Sequence, residues 1–425
     1  MKTPYFAVVV VVVAAWLHAG SICSPLRAAV PEEWRDDADL VAVAVIDDPQ
    51  AGKAAAWACG DRGAVWHSAD SGATWRRQTS GVDCKLYGVH FLDAQNGWLV
   101  GGGYEPYTHR SRGVVLRTAD GGATWTPETT ALVPLLRKIR MVTPREGWAV
   151  GEASEVSPAG VYVTRDGGKT WSGAGGRLPA GVVAADLGTT LQGICADGRG
   201  RIVRVDHRTV DATPAAEFGL RTVHDLLMPD DGPSWLVGDG GLVRASVDGG
   251  RSWLVPGQDF AEGSGLQCDW HAVAARGARL WIVGAPGSVV LHTSDNGATW
   301  TLLPTGQTLP LYDVAFLDER RGLAVGAMGV ILSTNDGGLS WRRVSREPRR
   351  AALWSGFADA ESLPAEIIAH TAAEDGFRTV VTLLGRRDAE PGCDDAAPNV
   401  ERRLAAASAL GAASAEQCWA LPLRQ

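Results

Sequence analysis

The chain has 425 residues, of which 45% are hydrophobic and 21% charged, and its formal net charge is −8. That composition excludes a disordered chain, and the length predicts one large fold with a smaller appendage. The acidic balance, with Lys and Arg scattered, argues against nucleic acid as a partner, because neutralising phosphates needs clustered cations.

The N-terminus reads as an export signal. Lys2 supplies a positive start, and Tyr5 to Leu17 is an apolar stretch that includes six consecutive valines, Val8 to Val13. Small residues follow at Ala19, Gly20, Ser21, Ala28 and Ala29, so residues 1–29 are expected to be a signal peptide cleaved within 21–29. Thirteen apolar residues fall short of the roughly 20 that cross a bilayer, which makes an uncleaved anchor the lesser reading. The expected location is therefore outside the cytoplasm: periplasmic, secreted or at the cell surface. Cys23 follows Ile22, a poor fit to a lipoprotein site. The seven cysteines, at 23, 59, 84, 195, 268, 393 and 418, form no Cys-x-x-Cys pair and no metal spacing. An oxidising compartment leaves room for one or two disulfides, with connectivity open.

From residue 40 onward one repeat dominates. Ser68 to Trp75 returns at Thr118 to Trp125, Thr164 to Trp171, Ser246 to Trp253, Thr293 to Trp300 and Thr334 to Trp341, six copies of Ser/Thr-x-Asp-x-Gly-x-Thr/Ser-Trp. Their aspartates and tryptophans are Asp70 and Trp75, Asp120 and Trp125, Asp166 and Trp171, Asp248 and Trp253, Asp295 and Trp300, Asp336 and Trp341. The tryptophans are separated by 50, 46, 82, 47 and 41 residues. The 82 is twice 41, so a seventh, degraded copy is expected near Asp206 to Asp211. Each repeat carries an apolar opening run such as Leu311 to Phe316 and a Trp-x-Val-Gly strand such as Trp98 to Gly101. A third short strand such as Val330 to Ser333 leads into the box, and the box tryptophan starts a fourth. Opening strands are expected near residues 41, 86, 135, 181, 222, 270 and 311. That spacing predicts an all-β protein over residues 40–346, a seven-bladed β-propeller of four-stranded antiparallel blades.

The box has a physical rationale. Its glycines tolerate positive φ, its carboxylate accepts turn amides, and its hydroxyl ties the turn further. The tryptophan buries its indole against the blade. One carboxylate per box is far from the six to eight oxygens calcium requires, so no metal and no cofactor is expected.

Repeats with Asp-x-Gly-x-Thr-Trp and Gly-Trp-x-Val-Gly resemble the Asp-box (BNR) propellers, and most closely the photosystem II assembly and stability factor family. The resemblance covers roughly residues 40–346. It implies a non-enzymatic role in the assembly of a membrane-protein precursor, and a membrane-protein client is a partner by that resemblance. Propellers of this repeat type also occur in sialidases and other glycosidases.

After Arg346 the pattern alternates strand and helix, and 347–425 is expected to be a small C-terminal α/β segment. Ala351 to Phe357 reads as a strand, Ser362 to Glu374 as a helix, and Phe377 to Gly385 as a strand. Val400 to Leu410 reads as a second helix and Gln417 to Leu421 as a third strand, which implies a parallel sheet. The stretch Phe357-Ala358-Asp359-Ala360-Glu361 resembles the His-Pro-Asp-Asp-Glu of PIG-L-type zinc de-N-acetylases. Phe357 and Ala360 stand at the family's two zinc-binding positions, and Asp359 alone keeps an acid, at its general-base position. The resemblance implies a degenerate, truncated relic without metal chemistry; an unrelated α/β cap is the alternative.

No Gly-x-Ser-x-Gly elbow and no Cys–His arrangement is present, and the Phe/Tyr-Arg-Ile-Pro segment of sialidases is missing. Two loops on the face opposite the boxes are enlarged and offer binding groups: Tyr104, Tyr107, His109, Arg110 and Arg112 in blade two, and Glu152 and Glu155 in blade three. Arg137, Lys138 and Arg140 lie in the opening strand of blade three, where alternate side chains would put positive charge in the central channel. The resulting expectation is a monomeric, non-catalytic exported propeller that binds or scaffolds a protein, peptide or glycan. The alternative is a sialidase-like glycoside hydrolase, whose carboxylate pair would be defined by spatial separation alone.

Overall fold

The computed structural model describes residues 37–49, 51–128, 133–206, 209–219, 221–229, 231–257, 268–344, 371–374 and 377–380. The signal peptide, the de-N-acetylase-like stretch around Asp359 and the expected elements beyond 380 lie outside them.

Seven antiparallel sheets follow one another along the chain. Blade one is β1 (Leu40–Asp48), β2 (Lys53–Gly60), β3 (Ala64–Ser68) and β4 (Arg76–Thr79). Blade two is β5 (Lys85–Phe91), β6 (Gly97–Tyr104), β7 (Ser111–Thr118) and β8 (Thr126–Pro127). Blade three is β9 (Leu136–Met141), β10 (Gly147–Gly151), β11 (Val161–Thr164) and β12 (Ser172–Gly173). Blade four is β13 (Val182–Leu187), β14 (Gly193–Asp197), β15 (Arg201–Asp206) and β16 (Thr209–Glu217). Blade five is β17 (Val223–Leu227), β18 (Ser234–Gly238) and β19 (Leu242–Ser246), its fourth strand reduced to a bridge between Ala245 and Leu254. Blade six is β20 (Asp269–Arg276), β21 (Arg279–Ala285), β22 (Val289–Thr293) and β23 (Thr301–Pro304). Blade seven is β24 (Leu311–Phe316), β25 (Gly322–Gly326), β26 (Ile331–Thr334) and β27 (Arg342–Arg343).

The opening strands meet the positions expected of them. Each lies against the opening strand of the next blade, β1 on β5 and onward to β24, which returns to β1. They therefore form the inner wall of a closed ring. Where the degraded seventh box was expected, β15 and β16 pair directly, Asp206 opposite Thr209, so a short hairpin replaces the box.

The boxes sit between third and fourth strands, and all six share one hydrogen-bond pattern. In blade two, Thr118 Oγ1 donates to Asp120 Oδ1 (2.7 Å) and accepts the Gly122 amide (2.8 Å). Thr124 donates to the same carboxylate from its amide (2.9 Å) and its hydroxyl (2.6 Å). The turn so fixed is also the joint between blades. Trp98, on the second strand of blade two, donates from Nε1 to Gly167 O in the box of blade three (2.8 Å). Trp57 does the same to Gly121 (2.9 Å) and Trp281 to Gly337 (2.7 Å). The second box glycine must be glycine. A Cβ on Gly297 (φ +82°) would stand 2.4 Å from the Trp235 ring, and one on Gly250 would stand 2.5 Å from Ile194.

The first and last blades meet without exchanging a strand. Leu323 of blade seven packs where a Cβ on Gly72 of the blade-one box would stand, 2.5 Å away. The Val43 amide donates to Asp313 Oδ2 (2.7 Å), and the Met328 amide to Asp39 Oδ1 (2.8 Å).

A second unit spans Arg350–Gln425. Its described part is one hairpin, β28 (Thr371–Glu374) antiparallel to β29 (Phe377–Val380), with Glu374 opposite Phe377. The helix expected over 362–374 is thus a strand in its last four residues, and the described pairing is antiparallel. Asp375-Gly376 explains the correction, because Asp-Gly between two short runs is a strong hairpin signal and outweighs the local helix propensity.

Trp148 faces blade four, which has no box, and its Nε1 has no hydrogen-bond partner. Trp98→Phe should therefore cost about 1 kcal/mol more than Trp148→Phe in denaturant unfolding, the worth of one buried hydrogen bond. Trp98→Ala should cost about 3–5 kcal/mol. Equal costs for the two Phe variants would contradict the joint described above.

Candidate functional site

All seven opening strands carry a β-bulge at the same place. In blade two, Leu86 pairs with Gly101 and Gly88 with Val100, leaving Tyr87 unpaired. The same skip leaves out Val41, Arg137, Val183, His224, His271 and Tyr312 in the other six blades. In six of the seven blades a glycine of the second strand faces the residue before the skipped one. A Cβ on Gly101 would stand 2.1 Å from Lys85 O, one on Gly151 2.1 Å from Leu135 O, and one on Gly284 2.0 Å from Asp269 O. In these blades the missing Cβ allows that approach, and the strand bends just beyond it; in blade four the same bulge forms opposite Asp197. Bulges re-aim side chains. Here they produce one collar residue per blade, five of the seven aromatic or cationic.

Neighbouring collar residues touch. The Arg137 guanidinium lies over the Tyr87 ring, 5.4 Å from its centroid, and Lys85 Nζ lies 5.3 Å from the same centroid. On the other side His224 packs edge-on against His271 at 5.2 Å, and the His271 ring lies tilted by 34° against Tyr312 at 5.3 Å. His224 Nε2 donates to Asp239 Oδ1 (2.5 Å), and His271 Nδ1 donates to Leu311 O (2.8 Å). Burial, with His224 nearby, lowers the His271 pKa.

The blade-two and blade-three insertions stand beside this collar. The Tyr104 hydroxyl donates to Glu152 Oε1, so the blade-two and blade-three insertions are in contact at this pair. That bond raises the Tyr104 pKa, while the Arg137 charge acts on it in the opposite sense. Tyr104 is 57% exposed and Tyr107, at the hairpin tip, 96%. His109, Arg110 and Glu155 are exposed, and Arg112 pairs with Glu105 (3.7 Å) within its own hairpin. Tyr104, Glu152 and Arg137 thus converge, while Tyr107, His109, Arg110, Arg112 and Glu155 lie outward of them.

Lys138 and Arg140 differ from the expectation of free positive charge in the channel. Lys138 Nζ reaches Asp225 of blade five (3.0 Å) and Arg140 reaches Asp186 of blade four (3.3 Å). Burial opposes the Lys138 ammonium, but Asp225, with Asp186 and Asp313 beyond, holds its pKa above the usual value. Lys85 likewise pairs with Asp61 (2.8 Å). Among the described residues Arg137 is the collar cation with a ring, and no carboxylate, as partner. The collar aromatics Tyr87, His224, His271 and Tyr312 were missed by sequence reasoning. Their signal was the residue following the apolar start of each opening strand.

The thiols of Cys59, Cys195 and Cys268 are free, and burial pushes the pKa of all three up, away from nucleophile chemistry. Among the described residues no helix is long and apolar enough to cross a membrane.

These features define an Asp-box β-propeller whose channel mouth is lined by bulged side chains. The BNR/Asp-box repeat model matches residues 162–172, and the model for photosynthesis system II assembly factor YCF48 matches residues 216–311. Both lie within the propeller, and neither bears on the C-terminal unit. The chain is 29% identical over 184 residues to photosystem II assembly lipoprotein Ycf48 of Picosynechococcus, covering 40% of this chain and 52% of that one. It is 28% identical over 139 residues to the chloroplastic photosystem II stability/assembly factor HCF136 of Oryza sativa, covering 32% and 33%. The matched stretch thus spans between a third and about half of these relatives. Among solved structures, YCF48 bound to D1 peptide superposes with a TM-score of 0.56 at 20% identity, over 71% of this chain and 94% of that one. A GH74 xyloglucanase from Xanthomonas campestris superposes with a TM-score of 0.54 at 15% identity, over 73% and 55%, a likeness of fold alone.

Asp313 supplies a prediction about pH. Burial, with Asp225 nearby, pushes its carboxyl up to about 7 despite the Val43 amide it accepts. Between its ordinary value of 3.8 and 7 the folded chain binds more protons than the unfolded one at this group. Its contribution to stability therefore falls as pH rises from about 4 to about 7 and is level above. The difference in melting temperature between the wild type and Asp313→Asn should shift against the wild type across that window. A pH-independent difference would contradict the assignment.

Proposed function

We propose that this chain is a non-catalytic propeller, acting outside the cytoplasm, that binds a peptide segment of a client protein across the collar. The observation that carries the reading is the convergence of Arg137, Tyr87, Tyr104 and Glu152, from two blades and two insertions, at the channel mouth. Arg137 stacked on an aromatic face without a carboxylate is a charge prepared for a ligand, and Tyr and Arg dominate binding hot spots. The solved neighbour described as bound to a D1 peptide supports a peptide as ligand class, and the relatives described as assembly factors support an assembly role. A membrane-protein client and an exported location follow the same similarity.

Selection of a phage-displayed peptide library on the full chain tests this. Enriched peptides should lose about tenfold in affinity with Arg137→Ala and with Tyr104→Ala, roughly 1.4 kcal/mol each. Enrichment indifferent to both changes would overturn the site. Turnover of chromogenic glycosides or sialosides, abolished by altering one channel carboxylate, would overturn the non-catalytic reading.

A further inference from the structure

Across the channel from Arg137, the collar changes character. From blade five round to blade seven it consists of three rings in sequence, His224, His271 and Tyr312, with neighbouring centroids 5.2 and 5.3 Å apart. Each ring is held in place from its rear. His224 is bonded to Asp239, His271 to the Leu311 carbonyl, and the Tyr312 hydroxyl donates to Asp39 Oδ2 (3.4 Å). The His271 pKa is lowered, chiefly by burial, and that of Tyr312 is raised, chiefly by burial with Asp39 next, so both present neutral π faces at pH 7.

The charge around these rings is negative. The described loops and links from blade five to blade one carry Asp37, Asp39, Asp61, Asp83, Asp239 and Asp269 against three cations, Arg62, Lys85 and Arg221. Several of these carboxylates accept uncharged backbone amides: Asp39 from Met328 (2.8 Å), Asp269 from Gly240 (2.8 Å) and Asp239 from Thr222 (3.1 Å). Such bonds fix the carboxylates without cancelling their charge. An aromatic face backed by carboxylates attracts a desolvated cation by its quadrupole and by the field behind it.

We propose that the His224–His271–Tyr312 arc is a subsite for a cationic side chain, lysine or arginine, of the bound peptide. The proposal rests on the peptide-binding reading and adds the partner's chemistry. A segment spanning the mouth carries a basic residue over the rings of blades five to seven and an anionic or polar group toward Arg137. The surface thereby selects both composition and direction.

The test uses the full chain and fluorescein-labelled Gly-Lys-Gly-Lys-Gly-Lys, with norleucine and glutamate counterparts, read by fluorescence anisotropy at low ionic strength. The lysine peptide should bind at least about tenfold more tightly than the norleucine one. Tyr312→Leu removes a ring and leaves the charge unchanged; it should cost about fivefold or more, within the range of a cation–π contact. Asp269→Asn keeps an acceptor for the Gly240 amide while removing charge, and it too should weaken binding. Equal binding of the lysine and norleucine peptides would overturn the proposal. So would lysine binding that survives Tyr312→Leu intact, because diffuse attraction to an acidic surface needs no ring. If library peptides dependent on Arg137 are still selected, the peptide-binding reading stands while the subsite falls. Loss of both removes the reading itself.

Discussion

The contact on which the rest of the molecule depends is that between the second strand of one blade and the box glycines of the next. A blade by itself is a small twisted sheet with two apolar faces, and it is stable only when both are covered. The indoles of Trp57, Trp98 and Trp281 cover one face and hydrogen-bond to a carbonyl that the neighbouring turn leaves exposed. The box exists to hold that carbonyl and its glycine in place. Asp and Thr fix the turn, positive φ at the second glycine directs the backbone, and the lack of a Cβ makes room for the ring. Where tryptophan is replaced by Ile194 or Leu323, the aliphatic side chain fills the same space against Gly250 or Gly72. The Leu323 case closes the ring, so the first and last blades meet by the same joint as the others, without an exchanged strand. Blade four, lacking a box, leaves the Trp148 indole without an acceptor and meets its neighbour through a parallel bridge between Gly175 and Thr209.

A second glycine position divides scaffold from site. Glycines 60, 101, 151, 238, 284 and 326 lie at or near the ends of second strands and allow a carbonyl at the start of the opening strand to come within about 2 Å of where a Cβ would be. The next residue but one is forced out of register and re-aimed at the channel mouth. In blade four the place is held by Asp197, buried and paired with Arg201 (2.5 Å). The boxes on one face and the bulges toward the other are thus independent devices. The first can stay constant while the collar residues vary, which suits a fold that presents different ligands with different mouths.

Much of this could be read from the residues. The box spacing marked six joints, the doubled interval located the blade without one, and Trp-x-Val-Gly located the second strands. The enlarged loops at Tyr104 and Glu152 were found because insertions break the repeat. Other features could not be read. Tyr87, His224, His271 and Tyr312 look like ordinary alternation within apolar strands, and only the paired register reveals that each is skipped. The aspartates that neutralise Lys138 and Arg140 lie 87 and 46 positions away, on strands that adjoin only once the ring is closed. The helix read into 362–374 failed at its end because a local Asp-Gly signal competed with helix-favouring residues.

The channel carboxylates bear on what chemistry the mouth supports. Asp186, Asp225 and Asp313 each accept an amide in or just past the following blade's opening strand, from Met228 (2.8 Å), Val273 (3.2 Å) and Val43 (2.7 Å). Asp186 and Asp225 also hold Arg140 and Lys138. A glycosidase pair requires one carboxyl able to donate a proton and a second free to attack or to activate water, both open to substrate. Here the inner carboxylates are committed to the seams between blades, and moving one toward a substrate would strand a backbone amide and, for Asp186 and Asp225, the Arg140 or Lys138 it pairs with. Among the described residues the mouth presents aromatic faces, the Arg137 guanidinium, the Tyr104–Glu152 pair and the carboxylates around the rings of blades five to seven. Those are groups suited to holding a ligand in place.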